Sequence, residues 1–320
     1  VKSRGLWLVL ALFGGLFFVL FALLVATGSS MGIGGYRAST GSGIGVIEIQ
    51  GPIQDSKQEL KWIRGFLDEP SIKSIIVRID SPGGAVAPSQ EIYSELKRLG
   101  QTKPVVASMG SMAASGGYYI ALGANRIIAN PGTMTGSIGV IMQTMDFSQL
   151  VALTKVTPQT YKSGEFKDMG SPLRQPTEGD KKLFDAMIKS VYEQFVRAVV
   201  DSRKLEDAAV RAVADGRVIT GEQALAAKLV DELGSFQVAV DKAAELGGIK
   251  AKNPELVYAP EEDDGLLSRL TRQAAKSMAS AVAAELRQGL QTHVQPMILM
   301  APSLNLLGAS GQATRGGAGQ

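Results

Sequence analysis

The sequence predicts an α/β fold built on a largely parallel sheet. Three observations carry this prediction. Short β-branched apolar runs alternate with stretches of helical spacing, at intervals that suit parallel βαβ units. Two of those runs end in glycine-rich turns, DSPGG (80–84) and GSMAASGG (110–117), each leading into a helix. The chain has 320 residues and is 45% hydrophobic, enough for one large core or two small ones.

Before the folded part, residues 6–26 carry no charge over 21 positions, about the 20 that cross a bilayer core. This length favours an uncleaved anchor over a signal peptide, whose apolar region is shorter, although Ala26, Thr27 and Gly28 also suit a small-residue cleavage site. Lys2 and Arg4 precede the segment, so the positive-inside rule keeps them in the cytoplasm and sends everything after residue 28 across. A Gly- and Ser-rich stretch to residue 44 reads as a flexible linker. The expected organisation is therefore 1–28 anchor, 29–44 linker, 45–260 folded domain, and 261–320 helical extension with a disordered tail.

Within the domain, IGVIEIQGPI (44–53) reads as a strand and 58–67 as a helix. SIIVRID (74–80) is the next strand, followed by a helix over 88–99. PVVASM (104–109) is a third strand, 115–122 a short helix, 126–129 a fourth strand and 139–142 another apolar strand. From 177 to 203 the period becomes that of a long amphipathic helix, apolar at Leu183, Phe184, Met187, Ile188, Val191, Phe195 and Val199. VITGEQALAAKLVDEL (218–233) reads as a strand then a helix, and 236–246 as a further helix. Residues 266–290 repeat the helical pattern, and 310–320 are low in complexity.

Composition excludes several functions. The net charge of +3 is scattered, which argues against a nucleic-acid partner. With no cysteine there is no disulfide, thiol nucleophile or thiolate metal site.

The two glycine-rich turns sit at carboxyl ends of strands, where active sites of open α/β sheets gather. Gly83 and Gly84 free the backbone to approach a ligand. Ser115 at a helix head has the N–H of Gly116 beside it, and two such N–H groups make an oxyanion hole. Singly, S-P-G-G is a tight turn and A-S-G-G a helix N-cap; on successive strands they point to a serine nucleophile. No G-x-S-x-G elbow surrounds Ser115, against an α/β-hydrolase. The one histidine, His293, lies in the tail, so a Ser-His-Asp triad would need that tail to return. The remaining scheme is Ser-Lys, in which burial keeps a lysine neutral enough to accept the serine proton. YKSGEFKDMGSP (161–172), read as a loop after a strand, offers Lys162 and Lys167, and residue type alone does not choose between them.

Together, ASGGYY, DSPGG, TGSIGV (135–140), YKSGEFKDMGSP and DGRVITGEQALAAKLVDELG (215–234) resemble the signal peptide peptidases of the protease IV type, in order from about 44 to 248. The resemblance implies a Clp protease/crotonase-like fold of repeated ββα/βαβ units, with the N-terminal transmembrane helix and C-terminal helices around it. It implies a Ser-Lys dyad with Ser115 as nucleophile and Lys167 as base, Ser137 orienting the lysine amine, and an oxyanion hole at Gly84, Gly83 and Gly116. It implies no metal or cofactor, hydrophobic peptide substrates such as cleaved signal peptides, and a homo-oligomeric ring or dome such as an octamer. The matching location is the inner (plasma) membrane, single-pass, with the catalytic domain outside the cytoplasm. Two other readings stay open: a crotonase-type acyl-CoA lyase or isomerase, and an inactive membrane scaffold. Tyr118 and Tyr119 are expected to pack behind Ser115.

Overall fold

The computed structural model describes residues 38–39 and 41–259. The expected anchor, most of the linker, His293 and the C-terminal extension lie outside the described residues. Among those described, no helix is long and apolar enough to cross a membrane.

The sheet begins with β1 (Gly43–Gln50), β2 (Ile72–Ser81) and β3 (Val105–Ala114), paired in parallel. The helices α1 (Lys57–Asp68) and α2 (Val86–Leu99) connect them. After β3 come the short helix α3 (Gly116–Ala121), β4 (Arg126–Ala129) and β5 (Met134–Gly136). Both short strands pair with β3 in parallel, β4 along its first half and β5 along its last three residues. Next are α4 (Ser148–Leu153), the long α5 (Glu178–Arg203), α6 (Asp207–Arg211), β6 (Val218–Thr220), α7 (Gly221–Ala226) and β7 (Glu232–Leu233). The described chain closes with α8 (Phe236–Leu246) and β8 (Glu255–Tyr258). The eight-stranded sheet runs β6-β5-β3-β2-β1-β8, with β4 and β7 branching from β3. It is mixed because β6 alone pairs antiparallel, to β5.

Alternation along the strands explains why both faces are covered. Ile44, Val46, Ile76, Val106 and Ile128 point to one side, where Ala239, Val240 and Ala243 of α8 pack on them. Ile47, Ile49, Ile75, Val77, Ile79, Val105 and Ala107 point to the other, under Ile63, Phe66, Ile92, Leu96 and Phe195 of α1, α2 and α5. Strands buried on both faces must be apolar at consecutive positions, hence runs such as IIV (75–77).

Three expectations need correction. The run 139–142 forms no strand within this chain; the strand is β5, a few residues earlier. Ser137 turns the backbone at φ 51°, the chain leaves the edge of β3, and Ile141 ends 83% exposed. Lys162 and Lys167 follow α4, not a strand. The apolar stripe of α5 is also only half used: Phe195 and Val199 are buried, whereas Leu183 and Met187 are 36% and 45% exposed.

Ile76, fully buried between sheet and α8, tests the second layer. Ile76→Ala should lower unfolding free energy by about 2–5 kcal/mol, read as a lower denaturation midpoint at unchanged denaturant slope.

Candidate active site

Parallel pairing brings three strand ends together. Ser81 of β2 pairs with Ala113 of β3, and Ala114 of β3 pairs with Gly136 of β5. The residues just beyond are Gly83 and Gly84, Ser115 and Gly116, and Ser137. Five of the six residues expected in the site thus lie just past the carboxyl ends of three neighbouring strands.

The first loop is held by backbone bonds on its far side. The Ile53 N–H donates to the Gly83 carbonyl at 3.0 Å, and the Ala85 N–H to the Ile53 carbonyl at 2.8 Å. This bridge skips the Gly84 N–H, which makes no backbone hydrogen bond among the described residues; the same holds for Gly116. A Cβ on Gly116 would stand 3.2 Å from the Gly84 nitrogen, so the two loops lie against each other. Gly83, at φ 98°, has no room for a side chain: a Cβ there would lie 2.6 Å from the Gly116 nitrogen and 2.8 Å from Ser115 Cβ.

Ser115 has φ 51° and ψ −119°, a sparsely populated conformation for a residue with a side chain. Its N–H donates to the Gly136 carbonyl at 2.9 Å, and its own carbonyl accepts the Tyr119 N–H at 2.8 Å, opening α3. It occupies the N-cap position, yet its hydroxyl makes no capping bond. The plain N-cap reading therefore does not account for a serine here. Ser137 shares the unusual φ, and its N–H donates to the Arg217 carbonyl at 2.8 Å.

Ser115, Gly84 and Gly116 line a small cleft together with the apolar side chains of Val86, Tyr119, Val140, Val191 and Phe195. Tyr119 thus faces the cleft, while Tyr118 is fully buried and donates to the Leu229 carbonyl at 2.9 Å. Burial pushes the Tyr118 phenol far up, which fits its structural place. The walls come from α2, α3, α5 and the segment after Ser137, and their apolar character was visible in sequence only as helix faces.

The lysines separate clearly. Lys162 Nζ donates to the Glu165 carbonyl and to Asp168, both at 2.7 Å. Asp168 also receives Arg174, which reaches on to Asp180, the buried residue that closes the capping box of α5 with Thr177. Lys162 is therefore tied into a clasp. Lys167 is exposed, and among the described residues its ammonium makes no hydrogen bond or ion pair. Within one chain no hydrogen bond joins Ser115 or Ser137 to either lysine, again among the described residues. No cluster of metal ligands occurs among those residues either.

A family model described as Peptidase family S49 matches residues 97–250, and one described as Clp protease matches residues 45–136. A putative protease from Synechocystis is 41% identical over 238 residues, which cover 74% of this chain and 85% of that protein. A putative protease from Methanocaldococcus jannaschii is 34% identical over 221 residues, 68% of this chain and 70% of that one. A putative signal peptide peptidase SppA from Enterococcus faecium is 37% identical over 183 residues, 57% and 53% respectively. With the fold and the serine at the strand ends, these similarities define a serine peptidase of Clp protease-like α/β architecture. The chain belongs to peptidase family S49.

The clasp titrates with a definite sign. Arg174 holds Asp168 well below the usual carboxylate range and, with the Thr177 N–H, holds Asp180 at about 2. Carboxylates lowered in the folded state stabilise it above about pH 4, and that contribution disappears as pH falls toward 2. Hydrogen-exchange protection in 160–180, taken relative to the intrinsic rate at each pH, should fall across that window before that of the β1–β3 core, and Arg174→Ala should show the weaker protection already at pH 7.

Proposed function

We propose that this chain is a membrane-anchored endopeptidase working through a Ser-Lys dyad, with hydrophobic peptides, cleaved signal peptides among them, as substrates. The observation that carries the proposal is Ser115: a strained serine whose hydroxyl makes no capping bond, lining an apolar cleft beside two glycine N–H groups that make no backbone hydrogen bond among the described residues. Lys167 accepts the Ser115 proton as the hydroxyl attacks a peptide carbonyl. The N–H groups of Gly84 and Gly116, with Gly83 shaping the loop, stabilise the oxyanion. Lys167 then protonates the leaving amine, and water repeats the sequence on the acyl-enzyme. Ser137, one residue past the strand partner of Ala114, orients the lysine amine.

The base comes from a neighbouring copy in this proposal. Lys167 is exposed and has no ion-pair or hydrogen-bond partner for its ammonium among the described residues, and its segment and the start of α5 carry exposed apolar residues, including Ile141, Leu153, Tyr161 and Met187. Association of copies through these residues, as a ring or dome, buries them and delivers Lys167 to a Ser115 across the interface. The name of the Enterococcus relative supports the substrate class, as do the apolar cleft walls. The anchor reading rests on the uncharged residues 6–26, and the proposed topology, with the catalytic domain outside the cytoplasm at the inner membrane, rests on Lys2 and Arg4 before them.

Ser115→Ala and Lys167→Ala should each reduce kcat on a hydrophobic peptide by at least about 10³-fold. Normal turnover by the serine variant would sink the nucleophile assignment. Co-assembling the two inactive variants should restore part of the activity, because some interfaces then pair an intact serine with an intact lysine; mixtures that stay inactive would place the dyad within one chain. Full release of the 1–320 chain from membranes by alkaline carbonate would refute the anchor.

A further inference from the structure

The ladder between β2 and β3 breaks just before the site. Pairing is regular from Ile75–Val105 to Ile79–Met109, and then the next pair is Ser81–Ala113. One residue of β2, Asp80, therefore faces three of β3, Gly110, Ser111 and Met112. Bulges are uncommon in parallel pairs and leave backbone groups without ladder partners. Here those groups are supplied by side chains. The Ser111 N–H donates to Asp80 Oδ2 at 3.3 Å and the Met112 N–H to Oδ1 at 3.1 Å. Thr133 Oγ1 donates to the Gly110 carbonyl at 2.7 Å. A Cβ at Gly110 would come within 2.7 Å of Asp80 Oδ2, so glycine there lets the carboxylate lie against the strand.

The bulge decides where Ser115 stands. Unbroken pairing would set Ser81 opposite Ser111 and carry Ser115 two residues, about 6–7 Å, beyond Gly83. With the bulge, Ser115 comes level with Gly83, close enough that a Cβ on Gly83 would contact the serine Cβ. We infer that Asp80 is a positioning residue for peptide hydrolysis: by holding the β3 bulge through two backbone N–H groups, its carboxylate sets Ser115 against the Gly83–Gly84 loop. The inference rests on Ser115 as nucleophile. Asp80 itself does not line the cleft.

Asp80→Asn, in the full chain, replaces one acceptor by an amide NH₂ facing an N–H. The readouts are thermal midpoint, kcat and KM on a quenched hydrophobic peptide, and the rate of fluorophosphonate labelling, with the labelled residue located by mass spectrometry. The midpoint should stay within about 5 °C of wild type. kcat should fall about 10- to 100-fold with KM within about twofold, and labelling of Ser115 should slow in step, as expected when a reacting group shifts by an ångström or less. Should Asp80→Asn fail to fold, Gly110→Ala crowds the same carboxylate from the facing strand and should give the same kcat and labelling losses. Unchanged kcat and labelling in a folded variant would overturn the role of Asp80, as would losses that merely track the midpoint across both variants. Labelling of a different residue in the wild-type chain would instead overturn the nucleophile reading, whatever the Asp80 variant does.

Discussion

Backbone-to-backbone approach at the carboxyl ends of the strands constrains everything around it. A Cβ on Gly84 would sit 2.0 Å from the Ile53 carbonyl, and one on Gly83 would strike Gly116 and Ser115. The two loops can lie this close only without side chains, and only if β1, β2 and β3 are neighbours in that order. The parallel ladder supplies the order, and the apolar layers on both faces hold it. A serine at φ 51° persists because its N–H, its carbonyl and its neighbours are each committed: to β5, to α3 and to the opposing loop.

Away from those ends the molecule changes character. The central strands and Phe195, Val196 and Val199 of α5 are buried, whereas the segment from Ile141 to Leu173 presents large apolar side chains to solvent. Its internal order comes from charge: Lys162, Asp168, Arg174 and Asp180 form a chain of ion pairs that ends in the capping box of α5. A site fixed between strand ends and a segment held by polar contacts are what the proposed association of copies requires. The clasp occupies one of two candidate lysines and leaves the other available.

Most of the scaffold was legible in the chain because its elements are governed by local periodicity. The helix at 236–246 and the strands near 72–81 and 126–129 follow from patterns of 3.6 and 2. The misses arise where a long-range partner decides. The run 139–142 has strand composition, but a strand needs a neighbour, and the turn at Ser137 removes β3 from reach. Leu183 and Met187 continue the stripe that buries Phe195, yet no other element of the described chain covers that half of α5. The bulge at Gly110 is invisible because three residues opposite one is a property of pairing, not of either strand.

By itself the sequence determined the chemistry on offer: a serine among small residues, two glycine loops at strand ends, no cysteine, one remote histidine, and a lysine-bearing segment in their place. It could do so because residue type limits reactivity and glycine limits where backbones can touch. Only the tertiary structure decided which groups meet. Register between strands distant in sequence placed Ser115 level with Gly83, and an ion-pair network among residues 162–180 separated Lys162 from Lys167. Both depend on hydrogen bonds and contacts between separate segments, whose geometry no local pattern encodes.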